Sequence, residues 1–108
     1  MTAATASVLQ LVEADPIHDA DRRRIVAAII GDAFENGGEV DPNRVRRRLT
    51  NEHGLTVNPR VVGAVYHGLI RQDVLKFDHW VPSQDVAGGN AGKPARAYRM
   101  SLPEVGAA

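Results

Sequence analysis

Apolar residues recur at the spacing of buried helix faces along much of the chain, and this pattern predicts three helices. The first helix begins after Asp19 or Asp21 and ends in the segment ENGGE, where a glycine is the expected left-handed stop. Its apolar stripe consists of Ile25, Val26, Ile29, Ile30, Ala33 and Phe34. The second helix runs from about Pro42 to His53 and places Val45 and Leu49 one turn apart.

The third predicted helix starts at Asn58 and Pro59, a side-chain cap followed by a ring whose φ already suits a first turn. Its expected buried residues are Val62, Val65, Tyr66 and Leu69. Gly63 and Gly68 are unusual within it, because a helical glycine costs about 1 kcal/mol relative to alanine. Two explanations are open, a close approach by a binding partner or close packing between helices. We expect the first at Gly63 and the second at Gly68.

The period changes from helix to strand after residue 73. The segments VLKFDHWV (74–81) and ARAYRMSL (95–102) alternate as strands do, and the glycine-rich segment PSQDVAGGNAGKPA (82–95) joins them as a hairpin loop. We expect Phe77 and Trp80 to pack in the core or at the base of this hairpin. The predicted fold class is α+β and mainly α.

The two ends of the chain carry weaker patterns than its middle. Residues 1–18 contain a short apolar stripe, Val8, Leu11 and Val12, which predicts either a short helix or an N-terminal arm. Residues 19–102 form the predicted domain, and residues 103–108 are a tail that we expect to be disordered.

Charge is unevenly distributed although the formal net charge is zero. Residues 1–41 carry a net −5, residues 42–72 a net +5 and residues 86–102 a net +3. In the second block, residues 42–72, Glu52 is the one acidic residue among the arginines. Two concentrated positive blocks are typical of a surface that contacts phosphate, whereas charge runs in general are often only solvated faces.

The order helix, helix, turn, helix, hairpin resembles the winged helix-turn-helix family, as do two stretches of residues. One stretch resembles the second and third helices of that family and runs from VDPNRVRRRL through LTVNPRVVGAVYHGLIRQDVL. The other stretch resembles its return strand and reads GKPARAYRMSL. NPRVVGAVYHGLI is also similar to small winged-helix proteins of actinobacteria and their phages. The resemblance covers residues 20–102, and the long glycine-rich loop departs from the family pattern.

This resemblance implies a three-helix core with a two- or three-stranded β wing. It also implies that the third helix enters the major groove of DNA and that the wing contacts the backbone or the minor groove. The helix face opposite the apolar stripe supplies the expected contacts, which are Arg60, Gly63, Ala64, His67 and Arg71, with Asn58 at the helix start. Arg60 is expected at a base edge, His67 at a base or a phosphate, and Arg71 at a phosphate.

Further contacts are expected from the second helix and from the hairpin loop. The run RVRRR places Arg44, Arg47 and Arg48 on an exposed arc, with Arg46 pointing elsewhere, and these arginines are expected to hold phosphates. Lys93 and Arg96 at the end of the loop are expected beside a phosphate or in the minor groove.

Several classes of function are disfavoured by the sequence. The chain has no cysteine, and its four histidines lack metal-ligand spacing, so we expect neither a metal site nor a cofactor. No serine stands in a nucleophile elbow, and an enzyme is not expected. No apolar run reaches the roughly 20 residues that cross a bilayer, and the N-terminus lacks signal-peptide features, so we expect a cytoplasmic protein.

The sequence therefore predicts a double-stranded DNA-binding protein that regulates transcription or phage or plasmid replication. A homodimer on a palindromic site is one expected arrangement. The alternative is a winged-helix protein–protein interaction module that docks on a host or partner protein, which the zero net charge and the acidic first 41 residues favour.

Overall fold

The computed structural model describes residues 19–53, 57–86 and 88–101. The predictions for residues 1–18 and 103–108 lie outside this part of the chain. The described elements, in chain order, are α1 (Asp19–Glu35), β1 (Glu39–Val40), α2 (Pro42–His53), α3 (Pro59–Arg71), β2 (Leu75–Pro82) and β3 (Pro94–Met100). The described part of the chain is thus α+β and about half helical, with three helices and an antiparallel sheet, which confirms the predicted α+β class.

The helix boundaries follow from the local signals in the sequence. Two consecutive glycines with positive φ, Gly37 (64°) and Gly38 (97°), end α1, a conformation that other residues adopt only with strain. The Asn58 side chain accepts a hydrogen bond from the Arg60 amide at 2.9 Å, and Pro59 opens the first turn of α3. The predicted cap is therefore confirmed.

The described sheet has three antiparallel strands in the order β1-β3-β2, so β2 is an edge strand. In β1, Val40 pairs with Tyr98, which ties the α1–α2 connection to the hairpin. The β2–β3 register shifts between Phe77 and His79, so that Asp78 forms a bulge. The bulge reverses the alternation of side chains along β2.

The core lies where α1, α2 and α3 meet one face of the sheet. Its fully buried side chains include Ile25, Ile29, Val45, Leu69 and Leu75. In α3 the buried residues are Val61, Val65, Gly68 and Leu69. The predicted buried residues Val62 and Tyr66 pack against the core and are partly buried. Phe34, predicted in the buried stripe of the first helix, is 62% exposed, which corrects that prediction.

Candidate nucleic-acid interface

The face of α3 that points away from the core carries the predicted contact residues. Asn58 is exposed at the helix start, and the exposed positions along the helix are Arg60, Gly63, Ala64, His67 and Arg71. The helix contains no aspartate or glutamate. Among the described residues, the side chains of Arg60 and Arg71 have no ion-pair partner. This face therefore combines two exposed cations, a histidine and two small residues.

The other side of α3 fixes the helix against the rest of the domain. Val65 and Leu69 are buried in the core, and the Tyr66 ring packs on that of Tyr98 with centroids 5.7 Å apart. Burial raises the pKa of the Tyr66 phenol. Among the described residues, its hydroxyl has no hydrogen-bond partner. Because Tyr98 lies in the central strand of the sheet, this contact sets the position of α3 relative to the hairpin.

The two glycines of α3 have different surroundings. A Cβ at Gly63 would meet nothing within 4 Å in the part of the chain that the structure describes. Packing among these residues therefore gives no reason for a glycine at this exposed helical position. Gly68 is buried on the packed side of the helix, as the helix-packing interpretation requires.

The Arg44 side chain does not lie free on the predicted exposed arc of α2. Its Nε donates to the Asp32 carboxylate at 2.8 Å, and its Nη atoms lie 3.1 Å from Glu39 Oε1 and 3.7 Å from Asp41 Oδ2. The hydrogen bond to Asp32 raises the pKa of Arg44. Glu52 is the one acid near the α2 arginines in sequence, and from this the arginines were expected to be unpaired. That expectation was wrong for Arg44 and Arg48, because acids that lie earlier in the sequence fold back onto this helix.

The remaining α2 arginines differ in their partners. Arg48 pairs with Glu35 at the end of α1, and its side chain is only 20% exposed. Arg46 donates to Asn43 Oδ1 at 3.3 Å, and the exposed Arg47 donates to Gln84 Oε1, so both of these contacts are with uncharged groups. Positive charge that is available to a ligand on α2 is therefore concentrated at Arg46 and Arg47.

Asn43 links α2 to the start of the β2–β3 loop (residues 83–93). Its Nδ2 donates to the Pro82 carbonyl at 2.9 Å, and its Oδ1 accepts from the Gln84 amide at 2.9 Å. The side chain is 5% exposed. Sequence reasoning missed this residue, because an asparagine in a first helical turn is ordinarily interpreted as part of the cap. The structure thereby brings the α2 arginines and the loop into one unit.

The loop and the strand that follows it carry two of the predicted contacts. Lys93 and Arg96 are both exposed. The Arg96 guanidinium lies over the Trp80 ring, 5.6 Å from its centroid, in a cation–π contact. Asp85 holds the loop by accepting from the Asn90 side chain and the Gly88 amide, and these hydrogen bonds lower the pKa of its carboxyl.

Phe77 and Trp80 are not core residues, which corrects the prediction. Their exposed fractions are 51% and 58%, and their rings lie 5.1 Å apart between centroids. A regular strand would place residues three apart on opposite faces, and the bulge at Asp78 brings both rings to the face that also carries Arg96. We refer to Phe77, Trp80 and Arg96 as the aromatic patch. The sequence gives no sign of the bulge.

One group of possible metal ligands lies together in the described residues although it is scattered in sequence. Ligand atoms of Glu39, Asp78 and His79 lie within 4.8 Å of one another. The carboxylates already have cationic partners, since Glu39 pairs with Arg44 at 3.1 Å and Asp78 with Arg99 at 3.7 Å. His79 Nδ1 lies 2.7 Å from Asp78 Oδ2, and this hydrogen bond lowers the pKa of the Asp78 carboxyl. These residues form an ion-pair network.

Among the described helices, none is long and apolar enough to span a membrane. Comparison of the chain with protein-family models, with curated proteins and with solved structures finds no match.

Proposed function

We propose that this chain is a double-stranded DNA-binding protein with a winged helix-turn-helix architecture. In this arrangement α3 enters the major groove, and β2, β3 and their loop form the wing. The observation that carries the proposal is the outer face of α3, where Arg60 and Arg71 flank small residues and His67 with no carboxylate in the helix. Such a face suits a polyanionic groove both in shape and in charge.

The residues of α3 have separate roles in this proposal. Arg60 stands in the first turn and has two parallel donors that match the N7 and O6 acceptors of guanine. Gly63 and Ala64 let the helix backbone approach the base pairs closely. His67 donates to a base or a phosphate, Arg71 meets a phosphate, and Asn58 caps the helix where it also reaches the backbone of the DNA.

Contacts from α2 and the loop hold the backbone without selecting sequence. Arg46 and Arg47 on α2 and Lys93 and Arg96 at the wing are the phosphate contacts. Arg48 reaches a phosphate in this proposal only by exchanging the Glu35 carboxylate for it, and it is therefore not counted among the phosphate contacts. Arg44 instead positions the start of α2 through its carboxylate partners.

The biological role that fits this binding mode is regulation of transcription or of phage or plasmid replication. A single recognition helix covers few base pairs, so a homodimer on a palindromic site would provide the specificity that one copy lacks.

Binding to a labelled random duplex of about 30 base pairs tests the proposal by fluorescence anisotropy at about 50 and 200 mM salt. We expect binding at the lower salt that weakens steeply at the higher. The variant Arg60→Ala/Arg71→Ala should lose at least tenfold in affinity. The control Arg23→Ala/Arg24→Ala removes the same charge from α1 and should bind within about twofold of the wild type. Equal losses in both variants would refute a specific interface on α3.

A protein–protein interaction module is the second candidate, and one observation favours it. An apolar side chain is exposed outside the proposed DNA interface, since Phe34 on α1 is 62% exposed. Absence of binding to any duplex at about 50 mM salt would support this candidate, because non-specific affinity appears there before specificity does.

A further inference from the structure

The aromatic patch on the wing has features that contact with duplex phosphates does not use. It lies on an edge strand, and it presents two rings of which more than half of each is exposed. Exposed apolar groups on an edge strand favour unwanted association, and proteins ordinarily place charge or proline there instead. A residue that serves only to hold a phosphate needs no neighbouring aromatic rings.

The register of the hairpin defines the chemistry of this face. Residues that pair directly across antiparallel strands share a face, so Phe77 lies with Tyr98, and Trp80 lies with Arg96. Asp78, in the bulge, has its carboxylate engaged by His79 and Arg99. The face therefore presents flat rings and a guanidinium, and the only charge among its paired strand positions is positive.

From these observations we infer that the aromatic patch binds unpaired nucleotides, so that the chain prefers a duplex next to a single-stranded segment. A base stacks on Trp80 and Phe77, and the phosphate beside it meets Arg96 and Lys93. Stacking on aromatic side chains combined with cationic contacts to the backbone is the general chemistry of single-strand recognition. The inference deepens the proposed function and rests on it for the duplex portion of the site.

The position of Arg96 supports this occupant over an uncharged one. Its guanidinium already lies 5.6 Å from the Trp80 centroid, so a flat group fits over this ring in the free protein. A base that takes this place would displace the guanidinium toward the adjacent phosphate, where it gains a charge-assisted hydrogen bond. An apolar peptide would cover the same ring and leave the cation without a partner.

Trp80 is the only tryptophan of the chain, so its fluorescence reports on the aromatic patch alone. The probes are a blunt duplex and the same duplex with an unpaired tail of about ten thymidines, a length within the site sizes of single-strand binders. We expect the tailed probe to quench the emission strongly and the blunt probe to leave it nearly unchanged. By anisotropy, the tailed probe should bind about tenfold more tightly.

The Phe77→Ala variant should lose most of the tail preference while binding the blunt duplex as the wild type does. Phe34→Ala removes a similarly exposed ring from α1 and should retain the preference. Blunt binding without quenching by the tail would overturn this inference and leave the proposed function intact. Tail binding without blunt binding would instead refute the proposed duplex site. A blue shift of the emission with protein concentration alone would overturn the inference by showing that a second copy covers the patch.

Discussion

Gly63 is a helical glycine next to which the described residues leave open space. Substitutions at this position can therefore distinguish an effect on stability from an effect on the proposed DNA binding. No described group lies within 4 Å of a Cβ at this position. Gly63→Ala should therefore stabilise the domain by about 0.5 to 1 kcal/mol, because alanine has less backbone freedom to lose in a helix. Thermal unfolding should show a rise of several degrees in Tm.

A longer side chain at the same position tests close approach by DNA. Gly63→Gln should keep a folded state at least as stable as the wild type, since glutamine is a good helix former. It should nevertheless weaken duplex binding about tenfold or more by holding the backbone away from the groove. Unchanged affinity would remove the argument that this glycine exists for a partner.

The Tyr66 hydroxyl provides a second test at the scale of single residues. It is buried without a hydrogen-bond partner among the described residues, which is a costly arrangement. Tyr66→Phe keeps the ring contact with Tyr98 and should raise the free energy of unfolding by about 1 kcal/mol in urea. The control Tyr98→Phe should have a smaller effect. A destabilised Tyr66→Phe would show that the hydroxyl has a partner in solution.

At the scale of the elements, the ion pairs of Arg44 hold α2 against α1 and β1. Asp32 is 1% exposed and also accepts from the Asp41 amide at 2.9 Å. Arg44→Ala leaves this buried carboxylate without its cation and should cost about 2 to 3 kcal/mol in urea unfolding. Arg47→Ala should change stability by less than about 0.5 kcal/mol, because Arg47 lies on the surface. Similar costs in both variants would contradict the distinction between them.

Asn43 connects two elements that both belong to the proposed interface. Asn43→Ala leaves the Pro82 carbonyl and the Gln84 amide without their side-chain partner and should cost about 1 to 3 kcal/mol in stability. At a temperature where the variant is fully folded, duplex affinity should still fall several-fold, since the wing is then less well positioned. Normal affinity in the folded variant would limit Asn43 to a structural role.

At the scale of the whole molecule, the proposed DNA binding of a chain with zero net charge depends on how its charges are distributed. If Arg46, Arg47, Arg60, Arg71, Lys93 and Arg96 each neutralise a phosphate, the slope of log K against log salt should be about −5. Arg46→Ala/Arg47→Ala should reduce the magnitude of this slope by about 2, measured by anisotropy across a salt series. A slope near zero would exclude the electrostatic contribution altogether.

The sequence by itself determined the elements and the outer face of α3. Caps, helix-starting prolines, stop glycines and apolar periodicity are local signals, and they placed α2 from Pro42 to His53 and α3 from Pro59, as observed. The exposed residues of α3 follow from the same periodicity, because a helix with one buried stripe has one opposite face. The same periodicity placed Val62 rather than Val61 in the core of α3, and it placed Phe34, which is 62% exposed, in the buried stripe of α1.

Tertiary structure alone decided which charges and rings remain available on the surface. The carboxylate of Asp32 lies on α1 and reaches Arg44 on α2, so the sequence around the arginines could not show that one of them is committed to the fold. The bulge at Asp78 depends on how β2 and β3 pair, and it brings together on the surface two residues that were expected in the core or at the base of the hairpin. Both outcomes depend on contacts between different elements. Caps and apolar periodicity, in contrast, reflect only the ends and the buried face of a single element.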